Sequence, residues 1–443
     1  MLVAVAASVI AVSVVDARGA VTSRDASGRI LLDGRPVFPI VLSRGPSLGS
    51  RTPWRTDGLD EVVGAGVTFL KTGPASGVWT RAAIRNAIAW NRAASARGVN
   101  TWVALGDVAV ARPRSGKAAL LAEVIGTLSR GPGSAGIGMW KGADEPLLNL
   151  LRTPALRYPY CRVTSRGDPS WCAGERALDP AHLWVTIQGP RGARSDFARY
   201  AAVTDVHGVN VYPVDVVSAA PDLHRVGRFT RTIASASGGA PVWATLQICA
   251  NGSHDERGNY VMPTRAQERY MLYDAILNGA RAVAFYGGQL GGCWSTRDAT
   301  TGWNWTFWRD VLQGLVSEIS AKSAIAPALV GPDWSTHVFT DDGTTQVLAR
   351  EGATVNDLWL IAARSGRGST RVTFSGLPGW ARTGYVYREG RKVRIRSGSF
   401  ADTFAQWDVH VYRITRVPPR RSLPAGTPVP VTRPENVATR GLR

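Results

Sequence analysis

The stretch GIGMWKGADEPLL, Gly136 to Leu148, places two adjacent carboxylates and a proline directly after an apolar run. The run itself, Gly136–Lys141, has the length and composition of a buried β-strand. Buried acids are unfavourable unless they are paired or used in chemistry. The pair Asp144 and Glu145 therefore raises the question of what surrounds the end of this strand.

The composition is that of a globular protein with an excess of positive charge. Of 443 residues, 44% are hydrophobic and 19% are charged, which suffices for a large core and more than one domain. The net charge of +19 favours anionic surroundings, such as an acidic polysaccharide or a negatively charged cell envelope. No basic run interleaved with aromatics accompanies it, so nucleic acid is not expected as a partner. Nothing in the sequence indicates a dedicated protein partner.

An apolar run of 14 residues occupies positions 2–15. It is short for a membrane span and matches the hydrophobic part of a secretory signal. Small residues suited to cleavage follow it, although no Lys or Arg precedes it. We therefore expect residues 1–20 to be a signal peptide or an amino-terminal anchor, and the protein to be secreted or associated with the cell envelope.

The four cysteines fit an exported protein, because disulfides form outside the cytosol. Cys161 and Cys172 would close a short insertion, and Cys249 and Cys293 would then join two distant loops. Other pairings remain open, and four free thiols are the alternative. No cysteine has a histidine at metal-ligand spacing, and we expect neither a metal nor another cofactor.

Near-continuous apolar runs alternate with helical patterns between residues 36 and 325, as in parallel strands covered by helices. Eight runs predict strands: Val37–Leu42, Val67–Thr72, Asn100–Leu105, Gly136–Lys141, Leu183–Gln188, Val206–Tyr212, Val242–Ile248 and Ala282–Tyr286.

The segments between these runs predict helices. Thr80–Arg97 has apolar residues at helical spacing, Thr264 to Gln267 forms a capping box that opens a helix through Leu277, and Trp305–Ala321 is a further candidate. Eight strands alternating with about eight helices over roughly 290 residues match a (β/α)₈ TIM barrel. A doubly wound open sheet is the alternative, but no glycine-rich phosphate fingerprint follows the first strand.

The pattern changes after about residue 327 to short alternating runs separated by Gly, Asp and Ser, which predicts a small β-sandwich. We therefore expect a barrel domain at 21–326 and a sandwich domain at 327–415. The Pro-rich segment 416–443 contains six Arg and one Glu and is expected to be a disordered basic tail.

Side chains at the carboxyl ends of barrel strands converge on one pocket. Acid, amide, phenol and indole groups occur at these ends, and such groups suit sugar hydroxyls and ring faces. The candidates are Asp144 and Glu145 for catalysis, and Lys71, Trp140, Gln188, His207, Asn210, Tyr212, Gln247 and Tyr286 for substrate binding.

The order of these motifs resembles the glycoside hydrolases of the large (β/α)₈ superfamily often called clan A. KGADEP, residues 141–146, resembles the fourth-strand Asn-Glu-Pro or Asp-Glu-Pro of those enzymes. LLDGRPVFPIVL at 31–42, GVNVYP at 208–213 and NGARAVAFYG at 278–287 resemble the hairpin with first strand, the sixth strand and the eighth strand. FADTFAQWDVHVYRI at 400–414 resembles the end of the carboxyl-terminal β-module.

The resemblance implies a role for each carboxylate. Glu145 would be the general acid/base, and Asp144 would bind the sugar hydroxyl beside the scissile bond. The alternative without chemistry is an acidic helix start, with Pro146 in its first turn.

The chain departs from this family at the seventh strand, where retaining enzymes carry a nucleophilic Glu and this sequence has Gln247. A second carboxylate could come from Asp107, Asp215 or the pair Asp255 and Glu256. The enzyme could instead be inverting, with a base placed across a water, or the barrel could bind sugar without cleaving it.

The sequence therefore predicts hydrolysis of a glycosidic bond in a poly- or oligosaccharide, with Glu145 as acid. A carbohydrate-binding protein on a degenerate glycosidase barrel is the alternative. A structural protein of the envelope, held there by charge, is a third hypothesis.

Overall fold

A computed structural model describes residues 20–110, 115–131, 133–147, 176–201, 203–215, 221–248, 261–289 and 295–416. The predictions for residues 1–19 and for 417–443 lie outside these ranges. So do those for the four cysteines Cys161, Cys172, Cys249 and Cys293.

A three-stranded antiparallel sheet precedes the barrel, formed by β1 (Thr22–Arg24), β2 (Ile30–Leu32) and β3 (Arg35–Val37). The Thr22 hydroxyl donates to the carbonyl of Gly138 and accepts from the amide of Leu183, both at strand starts. The sheet therefore covers the amino-terminal end of the barrel and leaves the opposite end for a site. The strand predicted at Val37–Leu42 is in fact divided, because Val37 ends this sheet and the barrel strand begins at Ile40.

Eight parallel strands form a closed barrel, in which each strand pairs with the next and the last pairs with the first. The predicted (β/α)₈ fold is confirmed, and the open doubly wound sheet is excluded. The barrel strands are β4 (Ile40–Leu42), β5 (Phe69–Thr72), β6 (Asn100–Ala104), β7 (Ile137–Asp144), β8 (Leu183–Gln188), β9 (Val206–Asn210), β10 (Val242–Gln247) and β11 (Ala280–Tyr286).

Helices surround the strands, and several begin with a capping side chain as the sequence predicts. Thr80 caps the second helix and Thr264 forms the predicted capping box of the sixth. The helices that connect the barrel strands are α1 (Gly58–Ala65), α2 (Arg81–Ser95), α3 (Gly116–Ser129), α4 (Arg194–Ala198), α5 (Arg225–Ala236) and α6 (Arg265–Leu277).

The helix predicted over Trp305–Ala321 is interrupted by a π-helical stretch at Trp308–Leu312. The large indoles of Trp303, Trp305 and Trp308 pack against one another here, at ring-centroid distances of 4.6 and 5.9 Å, and the backbone accommodates them. The short helices of this region are α7 (Thr296–Ala299), α8 (Trp305–Phe307), α9 (Gln313–Ile319) and α10 (Ala326–Val330). In the described ranges, no helix has the length and apolar character that crossing a membrane requires.

Two separate apolar layers show which way each strand residue points. One buried cluster contains residues of the strands and the amino-terminal sheet but none of a helix, so it fills the barrel interior; Phe69, Trp102, Met139, Val206 and Trp243 belong to it. The Trp102 and Trp243 rings stack across this interior with centroids 4.7 Å apart. Alternate residues pack against helices instead. Because strand side chains alternate, residues two or four positions after an interior residue also point inward.

Two antiparallel sheets follow the barrel and pack face to face as the predicted sandwich. One has the order β12-β15-β18 and the other β13-β14-β19-β16-β17, with a shared apolar core between them. The strands are β12 (Phe339–Thr340), β13 (Thr345–Glu351), β14 (Asp357–Arg364), β15 (Thr370–Ser375), β16 (Thr383–Val386), β17 (Lys392–Arg394), β18 (Phe400–Phe404) and β19 (Val409–Thr415).

Strand β14 joins the two domains, because it is buried on both faces. Leu358 and Leu360 pack into the sandwich core, whereas Trp359 and Ile361 belong to the core cluster of the barrel and its helices. This pattern reads as a continuous apolar run in the sequence, and it fixes the sandwich against helix α6.

A buried ion pair lies at the same interface. Arg269 of α6 contacts Glu318 of α9 at 2.8 Å and donates to the carbonyl of Val409, and the hydroxyl of Tyr273 donates to Glu318. Burial alone would raise the pKa of Glu318, but the charge and hydrogen bonds of Arg269 lower it below its usual value.

Replacing Arg269 by Met leaves Glu318 buried without its cation, and we expect the free energy of unfolding to fall by about 3–5 kcal/mol at pH 7. The lowered pKa of Glu318 stabilises the fold above the carboxyl's unfolded pKa and is lost as pH falls, so the deficit should shrink at pH 4. Denaturant unfolding at pH 7 and at pH 4 measures the free energy of unfolding of the variant and of the unchanged protein. Arg309→Met is the control, because Arg309 and Asp310 form an exposed pair and their loss should change stability by less than about 1 kcal/mol.

Candidate active site

The fourth barrel strand, β7, ends in an irregularity. Lys141 pairs with Val185 of β8 and Asp144 pairs with Ile187, so three steps along β7 match two along β8. An extra residue of this kind bends the strand and redirects the side chains that follow it. Glu145 then adopts a φ of 46°, in the left-handed region, while its amide donates to the carbonyl of Ile187 at 2.6 Å. Backbone strain of this kind costs about 1–3 kcal/mol and is concentrated at functional sites.

The carboxylate of Glu145 is held over the mouth of the barrel. Its Oε1 accepts a hydrogen bond of 2.9 Å from the side-chain amide of Asn210 on β9, two strands away. Asn210 lies four positions after the interior residue Val206, so its side chain points inward at the carboxyl end. The structure thus brings together Glu145 and Asn210, both predicted for the site.

Asp144 is paired with a lysine that lies below it. The Lys141 ammonium contacts Oδ1 of Asp144 at 2.9 Å, and the side chain of Lys141 is only 8% exposed whereas that of Asp144 is 59% exposed. The surrounding protein removes part of the hydration of the Asp144 carboxylate and so opposes its ionisation, but the charge and hydrogen bond of Lys141, with smaller contributions from Lys71 and Arg44, lower its pKa. Asp144 is therefore an ionised acceptor at the mouth.

Lys71 projects into the same region from β5, two positions after the interior residue Phe69. Burial lowers its pKa to about 7, and the charges of Lys141 and Arg44 act in the same direction while Asp144 opposes them. The Lys141 ammonium lies 5.9 Å from the ring centroid of Trp102, the β6 residue that pairs with Lys71. The two lysines therefore flank one tryptophan at the top of the barrel interior.

Two predicted tyrosines meet beside the carboxylates. The rings of Tyr212 and Tyr286 stack with centroids 5.7 Å apart and planes 11° apart. Burial raises the pKa of Tyr212 well above its usual value, and Tyr286, Asp144 and Glu145 act in the same direction. The hydroxyl of Tyr212 therefore stays protonated and can donate a hydrogen bond.

Gln188 and Gln247, both predicted as substrate contacts, form hydrogen bonds with main-chain groups. Gln247 donates to the carbonyl of Val214 and accepts from its amide, both at 2.9 Å, in the loop after β9. Gln188 accepts from the amide of Leu147 in the loop after β7. Both side chains are buried. Each amide thus fixes the loop that follows a neighbouring strand.

Trp140 and His207, both predicted as substrate contacts, lie away from the mouth, and the structure does not bring them together with Glu145. Trp140 alternates with the interior residue Met139, packs in the strand–helix layer and donates to Asp179 at 2.8 Å. His207 is buried near the amino-terminal end of β9, where burial and the charge of Arg24 lower its pKa to about 4. Both residues are on the outward side of their strands.

The other carboxylates proposed as a second catalytic group have different surroundings. Asp107 contacts Lys117 at 3.1 Å in the loop after β6. Asp215 directly follows Val214, the residue that Gln247 holds. Asp255 and Glu256 lie outside the described residues. Among the residues that the structure does describe, no cluster of three His, Cys, Asp or Glu side chains could hold a metal ion.

Sequence reasoning missed Lys141 and Arg44. Lys141 stands three residues before Asp144 and two after the interior residue Met139, so strand alternation carried the signal that it points inward. Arg44 lies two residues beyond the end of β4, in a loop whose path the sequence does not determine.

Comparison with known proteins identifies the fold. No protein-family profile matches the sequence, and no curated protein matches it. One solved structure to which the chain is similar is described as a glycoside hydrolase, with a TM-score of 0.59 and 13% identity over 90% of this chain and 97% of that one. Another is an alpha-amylase from Anoxybacillus, with a TM-score of 0.52 and 9% identity over 89% of this chain and 99% of that one.

The chain has the fold of barrel glycoside hydrolases. The alignments span almost the whole of both chains, so the similarity includes the barrel together with the carboxyl-terminal β-domain.

The Gln247 side chain forms two hydrogen bonds with the main chain of Val214. We therefore expect a carboxylate at position 247 to destabilise the protein. In Gln247→Glu an ionised side chain cannot donate to the Val214 carbonyl, so we expect unfolding to become easier by about 1–3 kcal/mol. Gln267→Glu is the matched control, because the side-chain oxygen of Gln267 caps the amide of Thr264 and a glutamate does this equally well. Equal free energies of unfolding for Gln247→Glu and the unchanged protein at pH 7, measured in denaturant, would contradict a stabilising role for these two hydrogen bonds.

The lowered pKa of Lys71 predicts a stability change of definite sign. The usual pKa is 10.5 and the folded value is about 7, so the fold binds fewer protons than the unfolded chain between these values. Lys71 therefore destabilises the fold fully below pH 7, and this effect disappears as pH rises towards 10.5. We expect Lys71→Met to raise the free energy of unfolding by about 1–3 kcal/mol at pH 6 and by much less at pH 10. A less stable variant at pH 6 would refute this.

Proposed function

We propose that the protein is a glycosidase that cleaves a poly- or oligosaccharide with Glu145 as the general acid. The observation that carries this proposal is the position of Glu145, which a strand irregularity and Asn210 hold over the mouth of a closed barrel. Active sites of barrel enzymes lie at this end. The fold shared with a protein described as a glycoside hydrolase and with an alpha-amylase supports the same class.

The residues around Glu145 suit the parts of a hydrolysis reaction. Glu145 would give its proton to the glycosidic oxygen as the bond to the anomeric carbon breaks. Asp144 is ionised, so it can accept a hydrogen bond from a sugar hydroxyl. Tyr212 keeps its proton and can donate to a sugar oxygen or to a carboxylate. A water would then add its oxygen to the anomeric carbon and lose a proton to a second group.

The second group has to be a residue other than Gln247, because an amide neither attacks the anomeric carbon nor takes a proton from water. Asp215 is one candidate, since it follows the residue that Gln247 fixes beside the mouth. Asp255 and Glu256 in the loop after β10 are the others. The distance between this carboxylate and Glu145 would decide between retention and inversion.

We also propose that the protein is exported. The apolar run at positions 2–15 and the small residues after it support a secreted or envelope-associated enzyme. Such a location would expose the enzyme to extracellular saccharides.

Purified protein screened against plant and bacterial glycans tests the function. In Glu145→Gln we expect kcat to fall roughly 10²- to 10⁴-fold with folding intact, because the proton donor is removed. Glu123→Gln is the control, since Glu123 is an exposed residue of α3. Turnover that is unchanged in Glu145→Gln would remove Glu145 from the mechanism. The same assay on Asp215→Asn, Asp255→Asn and Glu256→Gln identifies the second carboxylate.

A carbohydrate-binding protein on the same barrel is the second candidate. The observation that favours it is Gln247, a neutral amide that holds the main chain of Val214 at the end of the seventh barrel strand. Saccharide binding without turnover, unaffected by all the carboxylate substitutions, would support this function in place of hydrolysis.

A further inference from the structure

Three cationic residues stand at the ends of barrel strands on the side of the mouth, and they come from three different parts of the barrel. Lys71 is on β5, Lys141 is on β7, and Arg44 follows β4. Lys71 and Lys141 both lie two positions after an interior residue, so they project into the top of the barrel. Their charges act on one another and on Asp144, as does the charge of Arg44.

Only one of the three has a carboxylate partner in the described part of the chain. Lys141 pairs with Asp144 at 2.9 Å. No described carboxylate comes within 4 Å of the Lys71 ammonium or the Arg44 guanidinium. Lys71 and Arg44 therefore have no close carboxylate among the described residues, and the carboxylate of Glu145 is instead hydrogen-bonded to Asn210.

The fold itself gives no reason for an amine at position 71. The preceding inward residue of β5 is Phe69, and the paired residue of β6 is Trp102, so the strand residues that adjoin Lys71 in the barrel interior are apolar. An ammonium in such surroundings, beside a second ammonium, is destabilising unless something compensates it. A bound anion would supply that compensation.

We propose that the mouth binds an anionic substituent of a sugar, either a uronate carboxylate or a sulfate ester, between Lys71 and Arg44. This inference rests on the proposed function, because it assumes that the cleft accepts a saccharide. It goes further in naming the substrate class: acidic glycans are preferred to neutral glycans of the same backbone. Lys141 would not contact the anionic substituent directly, since its ammonium already forms an ion pair with Asp144.

Binding measurements test this preference without depending on turnover. Oligosaccharides of equal length would be offered in neutral, uronate and sulfated forms to Glu145→Gln, in which cleavage is blocked. We expect acidic members to bind about tenfold more tightly than their neutral counterparts. In 1 M NaCl this preference should be lost, because the charges are then screened. The comparison of uronate with sulfate shows which anion the site takes.

A second substitution assigns the preference to Lys71. Glu145→Gln combined with Lys71→Met should bind neutral and acidic members equally, whereas Lys71→Arg should keep the preference. Lys322→Met is the control, because Lys322 is exposed and remote from the barrel mouth in the chain after α9. Loss of the preference in Lys71→Met alone supports the proposal.

Equal binding of neutral and acidic members, or a preference unchanged by Lys71→Met, would overturn the proposal. Neither result would affect the glycosidase assignment, which turnover by the unmodified protein tests separately. Conversely, an acidic preference without any turnover would support the anion site and reject hydrolysis.

Discussion

Closure of eight parallel strands is the constraint on which the rest of the molecule depends. A parallel sheet that closes has no exposed edge, and it brings every strand's carboxyl end to one rim. Here the amino-terminal sheet covers the other rim through Thr22, which bonds to the starts of β7 and β8. Residues far apart in sequence, such as Glu145 and Asn210, therefore meet at the open rim, because both lie at the carboxyl ends of strands of the same closed barrel.

At the open rim, Lys141 and Asp144 stabilise each other's charged forms. Asp144 stays ionised because Lys141 lies beneath it, and Lys141 tolerates burial because Asp144 is 2.9 Å away. The strand irregularity that offsets Asp144 also forces Glu145 into the left-handed region. Strain, a buried lysine and an amine without a close carboxylate among the described residues are all unfavourable for folding, and their concentration at one rim is typical of a functional site.

The sequence predicted the barrel, the sandwich and the position of Glu145, because these depend on patterns that repeat along the chain. We did not predict from the sequence which strand side chains point into the barrel and which point towards the helices. Trp140 and Lys141 are neighbours, but the strand turns the lysine into the barrel and the tryptophan towards the helices. Observing that Met139 and Val206 belong to the interior would have separated Lys141 and Asn210 from Trp140 and His207. The main-chain bonds of Gln188 and Gln247 depend on loop paths, which no sequence pattern specified.

Gln247 and Lys71 both affect the charge of the rim. A glutamate at position 247 would add a negative group to an inward-facing strand end. Amides occupy both position 210 and position 247, so neither strand end supplies a carboxylate to the rim. A neutral saccharide would leave Lys71 and Arg44 without an anionic partner, whereas an acidic one would supply it. The amide at position 247 would thus bear both on how a bond could be cleaved at this rim and on which saccharide the rim could hold, and both effects would follow from the same electrostatics.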